Sequence, residues 1–198
     1  MLQPSIDSRR LLGGALCLDF ANSVDWERDG TERPLSADVL AEPGDLAGWG
    51  RRVGLLGAAD TLPVDGGELA RARRLRRAVH EAFAAVASGR LPGEKTIATL
   101  ERTFAESAAA GRLHSQDGWD FAWQRDDPRR IRFAVAVSAV DLLRDPPKLA
   151  RVRVCPGSNC GWLFLDTTGR RRWCSMEVCG SRAKMRRLYE RRRATSQS

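Results

Sequence analysis

Cys155-Pro-Gly-Ser-Asn-Cys160 and, thirteen residues later, Cys174-Ser-Met-Glu-Val-Cys179 decide how the last quarter of this 198-residue chain must fold. Two C-x4-C pairs of equal spacing suit a tetrahedral, four-thiolate zinc site. Each short loop brings two sulfurs to the ion at about 2.3 Å, and the longer connection closes the other side. A segment of about 45 residues buries too little apolar surface to fold securely alone, so a structural Zn2+ makes physical sense. Two disulfides, or four free core thiols, are the alternatives; paired spacing and a reducing compartment favour the metal. A catalytic zinc would keep an open position and usually a His ligand. Here His80 and His114 lie far away in sequence, so the reading is structural. The fifth cysteine, Cys17, reads as a buried apolar residue.

The surroundings of the cysteines extend this picture. Trp162-Leu163-Phe164-Leu165 and Arg171-Arg172-Trp173 flank Asp166-Thr-Thr-Gly169, which predicts a hairpin between the two pairs. Ser181 can cap a last helix running to about residue 193, on which Met185 and Leu188 form a narrow stripe for packing on the zinc knuckle. Residues 151–198 hold 12 basic and 3 acidic side chains, net +9, whereas residues 1–150 hold 21 and 22, net −1. A neutral body with a basic, anion-seeking tail follows.

Candidate contacts to double-stranded DNA are Arg170, Arg171 and Arg172 by the turn and Arg182, Lys184, Arg186, Arg187 and Arg193 on the helix. Arg182 and Arg186 are best placed to approach bases, with Arg170–Arg172 anchoring the backbone. Other uses of the charge stay open. A tetrathiolate zinc carries −2, which Arg172 and Arg182 could offset. An acidic protein could bind instead, or RNA could stack on Trp162, Phe164 and Trp173, although in so small a module these aromatics suit a core.

The body reads as mostly helical. Leu16, Phe20 and Val24 predict an amphipathic helix over 11–25. Asp45 reads as the N-cap of a helix carrying Leu46, Trp49 and Val53. Leu69, Ala72, Leu75, Val79, Phe83 and Val86 predict a long helix from about 65 to 88, with Arg71, Arg73, Arg74, Arg76 and Arg77 on its solvent face. Further helices are expected over 93–110, through Ile97, Leu100 and Phe104, and over 129–144, broken by Pro146-Pro147. Gln116-Asp117-Gly118 sets a small hairpin between 113–115 and 119–123. The expected fold class is therefore mainly α: a helical domain with a β-hairpin at 1–150, then a four-cysteine zinc-finger module of hairpin plus helix at 151–198.

Ser8-Arg9-Arg10 before an eight-residue apolar run mimics a twin-arginine export signal, but the run stops at Asp19 without a small-x-small site. No stretch approaches the roughly 18 apolar residues of a membrane helix, so a cytoplasmic location is expected. No glycine-rich phosphate loop, Ser-x-x-Lys arrangement or His-Glu-x-x-His stretch occurs, which argues against an enzyme.

Cys160-Gly161-Trp162-Leu163-Phe164-Leu165-Asp166, Arg171-Arg172-Trp173-Cys174-Ser175-Met176 and Cys179-Gly180-Ser181-Arg182-Ala183-Lys184 closely resemble the CGNR zinc finger. Leu16-Cys17-Leu18-Asp19-Phe20-Ala21-Asn22-Ser23-Val24-Asp25 resembles the opening motif of the ABATE domain that precedes this finger. Ser181 stands where the family has Asn, and Ser can still cap a helix. The resemblance implies a bacterial, stress-induced transcription regulator with a zinc-bound C-terminal module. Asp19 and Asn22, within the opening motif, could line a pocket for a small-molecule ligand that biases DNA binding. The alternative is that they brace neighbouring backbone. A palindromic operator would call for a homodimer. A protein-interaction adaptor, its basic finger gripping an acidic partner, is the alternative function.

Overall fold

The computed structural model describes residues 6–195 except 8, 28, 34–37 and 116–118. Helix α3 (Gly66–Ala87) is the central element, and it starts and stops for local reasons. Asp65 accepts a hydrogen bond from the Glu68 N–H at the N-terminus, and Gly89, at φ +69°, follows the C-cap Ser88. Of the predicted stripe, Leu69, Ala72, Leu75, Val79 and Phe83 are buried and Val86, near the end, is half-buried. Around it pack α1 (Leu16–Ala21), α2 (Pro43–Arg52), α4 (Glu94–Ala110) and α5 (Arg130–Leu143). Strands β1 (Arg112–Ser115) and β2 (Trp119–Ala122) pair antiparallel as expected; their turn lies outside the described residues. After α5, Pro146 and Pro147 do break the helix, and they open the single turn α6 (Pro146–Leu149).

Several local expectations change. Helix α1 covers six residues, not fifteen, because Gly14 enters it at φ +77° and Asn22 leaves it at the C-cap. Asp45 is not the N-cap of α2. Glu42 holds that place, and Asp45, three residues in, accepts from the Glu42 N–H in a reciprocal capping box. The buried stripe of α4 is Thr96, Leu100, Thr103 and Ser107, with Ile97 and Phe104 only half-buried. Small residues let α4 approach α3 and α5; Thr103 and Ser107 donate locally to Thr99 O and Phe104 O, and Thr96 donates across to Glu81 of α3.

The largest departure in the body concerns the arginines of α3. Arg76 is 1% exposed. It meets Asp38 through both guanidinium ends at 2.6 and 2.8 Å and also pairs with Glu32. Arg73 is half-buried and donates to Leu40 O at 3.0 Å. These residues therefore tie the long connection before α2 onto α3. Arg132 of α5 does the equivalent elsewhere, reaching buried Glu68 at 2.6 Å and Glu106 at 2.8 Å. Buried arginine is tolerated only with such carboxylate pairing; at Arg76 the two terminal nitrogens carry it, while Nε has no hydrogen-bond partner among the described residues.

The C-terminal segment begins with β3 (Val152–Val154), which pairs antiparallel with β4 (Leu163–Leu165). The hairpin therefore encloses the first cysteine pair; it does not lie between the two pairs. Residues 171–173, expected as the second strand, have no strand partner. Val152, Leu163 and Leu165 are buried in the same apolar cluster as α1 and α3, so the hairpin shares the body's core. Cys155, Phe164, Cys174 and Cys179 form a second small cluster, with Cys160, Trp162 and Trp173 packed against it. A π-helical turn (Met176–Gly180) then runs into α7 (Ser181–Thr195).

Candidate metal centre and nucleic-acid interface

The four cysteine sulfurs, of Cys155, Cys160, Cys174 and Cys179, all lie within 4.8 Å of one another. Cys160 and Cys174 are 3.7 Å apart and Cys174 and Cys179 3.6 Å. A tetrahedron of sulfurs at about 2.3 Å from a zinc ion has edges of about 3.8 Å, so the cluster has the size the ion needs. Their protonation points the same way. Hydrogen bonds from Cys160 and Cys174 hold the Cys155 thiol down to about 2, and the same closeness pushes Cys174 upward and Cys160 up to about 12. Four neighbouring sulfurs cannot all be thiolates by themselves; a divalent cation removes that conflict. Zinc bound here would cross-link the hairpin to the π turn, and these cysteines are the residues that would hold it.

The chain around the sulfurs is shaped for this. Cys155 N–H donates to Trp162 O at 2.8 Å and Cys174 N–H to Cys155 Sγ at 3.4 Å. Ser175 caps the π turn by accepting from the Val178 N–H at 3.3 Å, and Ser181, expected to cap the last helix, is that helix's first residue. Ser181 Oγ instead donates to Met176 O at 3.3 Å, across the turn that presents Cys179. The expected capping role of Ser181 is thereby replaced by a brace within the π turn. Cys17 is buried and its thiol is pushed up to about 12 by burial, as suits an apolar core position.

Body and finger are stitched together by polar groups. Asn22 accepts from the Leu163 N–H at 2.9 Å and donates to Leu163 O at 2.8 Å. Its carboxamide is buried and engaged at both ends, so Asn22 braces the hairpin and is not available to a small-molecule ligand. Asp19 accepts from the Gly13 N–H at 2.7 Å, with its carboxyl pushed up by burial. It too fixes backbone, in the segment that runs beside β4, where Leu165 N–H donates to Gly13 O at 2.8 Å. Both residues expected to contact a ligand thus take the bracing role.

His80, on α3, lies buried with its ring stacked on Trp26 at 3.7 Å between centroids, and its Nε2 is 2.8 Å from Gly161 O. A Cβ at Gly161 would lie 2.6 Å from Glu27 O and 2.8 Å from Trp26 Cβ, so only glycine lets the finger approach the body here. Sequence reasoning gave His80 no partner; nothing local connects it to a carbonyl 81 residues on.

The structure sorts the candidate cations into three groups. Arg171 is withdrawn from any external partner. It stacks over Phe164 at 4.6 Å and donates to Trp173 O at 3.2 Å, Leu12 O at 2.8 Å and Cys174 O at 2.6 Å. Its expected DNA contact is therefore corrected to a structural one: this arginine, rather than Arg172 or Arg182, steadies the knuckle. Arg182 and Arg186 lie on the side of α7 facing the first cysteine loop, where both line a small cavity and Arg186 donates to Ser158.

Arg170, Arg172, Lys184 and Arg187 form the third group, together with Arg10 from the body. They line one cleft of about 710 Å3, with Trp173 and Met176 among the other lining residues. Arg10 was missed from sequence because it lies some 160 residues upstream of the others. The side chains of Arg170, Arg172, Lys184 and Arg187 have no hydrogen-bond or ion-pair partner among the described residues. Met185 and Leu188, expected to pack on the knuckle, are exposed, as are Tyr189 and Arg193. Helix α7 packs chiefly on the π turn. No helix among the described residues is long and apolar enough to cross a membrane.

Comparison with known proteins agrees with this architecture. No curated protein matches the chain. Residues 151–192 match the CGNR zinc finger. Residues 14–146 match the ABATE family, described as "Putative stress-induced transcription regulator". On the length of that match, the four-sulfur cluster and the helical body ahead of it, the chain belongs to the ABATE family and carries a CGNR zinc finger at its C-terminal end.

Proposed function

We propose that this protein regulates transcription by binding duplex DNA with its metal-held module. The observation that carries the reading is the cleft where Arg170, Arg172, Lys184 and Arg187 stand without partners. Unpaired cations on a rigid frame repel one another in the free protein. Beside phosphates they displace condensed counterions and gain affinity. The exposed α7 supplies a rod of groove-sized width next to the cleft. In this reading the protein is a cytoplasmic, non-enzymatic binder, and a palindromic operator would engage two copies.

The test is a salt titration of the zinc-loaded full chain against a promoter fragment and random duplex. Affinity should fall steeply with salt and be higher for one promoter fragment. The double variant Lys184→Ala/Arg187→Ala should lose about two of the phosphate contacts in the slope of log K against log salt. Its zinc content should not change. Absence of duplex binding at low salt would overturn the reading in favour of an acidic protein partner.

A further inference from the structure

We infer that Arg10 is a phosphate-contacting residue of the cleft and that Glu177 holds it in reserve, occupying the place of a nucleic-acid phosphate. This rests on the duplex-binding reading above and concerns how that same cleft is regulated. Glu177, in the first turn of the π segment, is the one carboxylate among the cleft's lining residues. It does not pair with the neighbouring Arg170, Arg172, Lys184 or Arg187. It bonds Arg10 at 2.5 Å, from 167 residues away.

Arg10 is not there by chance contact of a loose terminus. Arg9 beside it stacks over Trp162 at 5.1 Å and pairs with Asp25 at 2.7 Å. Leu12 O accepts from Arg171, and Gly13 O accepts from the Leu165 N–H. Anchors on both sides thus fix residues 9–13 along the finger, with Arg10 held at the cleft rim. Both partners are well exposed, with side-chain exposures of 50% and 76%. An exposed ion pair of this kind contributes little to stability, so it exchanges readily for a competing anion. A duplex phosphate entering the cleft takes the Arg10 guanidinium and displaces Glu177, which until then repels the incoming backbone.

The experiment compares zinc-loaded full-length wild type with Glu177→Gln, Arg10→Ala and the combination, using a mixed-sequence duplex over a range of salt. Glu177→Gln is expected to tighten binding about three- to fivefold at low salt, the scale of one exposed pair. Arg10→Ala should weaken binding and reduce the salt slope by about 0.9, one phosphate. In the Arg10→Ala background the gain from Glu177→Gln should shrink, since the part that acts by freeing Arg10 is gone. Arg10→Lys should recover the slope. Unchanged affinity in Glu177→Gln, or an unchanged slope in Arg10→Ala, overturns the inference while leaving the duplex-binding reading intact. Failure of wild type and every variant to bind duplex removes both.

Discussion

Asn22 and Leu163, 141 residues apart, exchange two hydrogen bonds inside the protein, the side-chain amide of one reproducing a strand partner for the backbone of the other. β4 has β3 on one edge, and Asn22 satisfies a residue of the strand that faces α1. The metal module is therefore held from two directions, by sulfur and by a buried amide. Consequences for stability, metal retention and pH response follow from that double hold.

Asn22→Asp keeps an acceptor for the Leu163 N–H but leaves Leu163 O without its donor in a buried place. The expected loss of stability is about 1–3 kcal/mol, read from chemical denaturation. Zinc transfer to a competing chelator should also be faster, because the hairpin carrying Cys155 and Cys160 loosens. A variant with wild-type stability and wild-type metal release would mean that the pair is ornamental.

Arg171→Ala and Arg172→Ala, adjacent in sequence, should behave oppositely. The first removes the donors to Leu12, Trp173 and Cys174 carbonyls and should lower the melting temperature and hasten zinc release. The second should leave both unchanged and weaken duplex binding alone. Thermal melts, chelator competition and a salt titration on the two purified variants separate the roles.

Burial lowers the His80 ring from its ordinary 6.5 to about 4, so the folded protein holds it neutral, with Nε2–H donating to Gly161 O. The unfolded chain binds this proton first as acid is added. The contribution of His80 is therefore full above pH 6.5 and is lost as pH falls from 6.5 towards about 4. Acid also protonates thiolates and releases metal, in wild type and variant alike. The difference in unfolding free energy between wild type and His80→Gln across this window isolates the histidine, and the variant should show the shallower decline.

Asp38→Ala leaves Arg76 buried with Glu32 as its remaining carboxylate partner. Breaking a buried pair from one side costs about 3–5 kcal/mol, and Glu32 keeps the expected loss at the lower end, about 3 kcal/mol. Denaturant midpoints measure it. Arg77→Ala, whose side chain is half exposed, should change stability by less than about 1 kcal/mol.

Cys174→Ser should abolish stoichiometric zinc, seen by elemental analysis. The damage should not stop at the finger. Val152, Leu163 and Leu165 belong to the body's core, so the whole chain should melt at lower temperature and with less cooperativity. A body that melts as in wild type would show the two parts to be energetically separate.

How much of this was legible beforehand varies with the range of the forces involved. The period of Leu69, Ala72, Leu75, Val79 and Phe83 gave α3 to within a residue at each end, since its caps are local. The C-x4-C spacing gave all four sulfurs of the cluster, since closing a loop of four intervening residues on an ion is local too. Pairing was another matter. Asp166-Thr-Thr-Gly169 resembles a hairpin turn, yet β4 turns back to β3, because burying Val152 against α3 outweighs a favourable turn. Likewise a basic helix face looks solvated in sequence, and nothing within reach of Arg76 along the chain announces Asp38.

What the sequence determined by itself was the helical body, the metal cage and the placing of surplus charge at the C-terminal end: short-range periodicity, ligand spacing and composition suffice for each. What only the tertiary structure decided was which polar groups lose water together. Asn22 with Leu163, His80 with Gly161, Arg171 with three carbonyls and Arg10 with Glu177 are joined across long stretches of chain. Desolvation acts on neighbours in space, so the division of the arginines into braces and free cations exists only once the chain has packed.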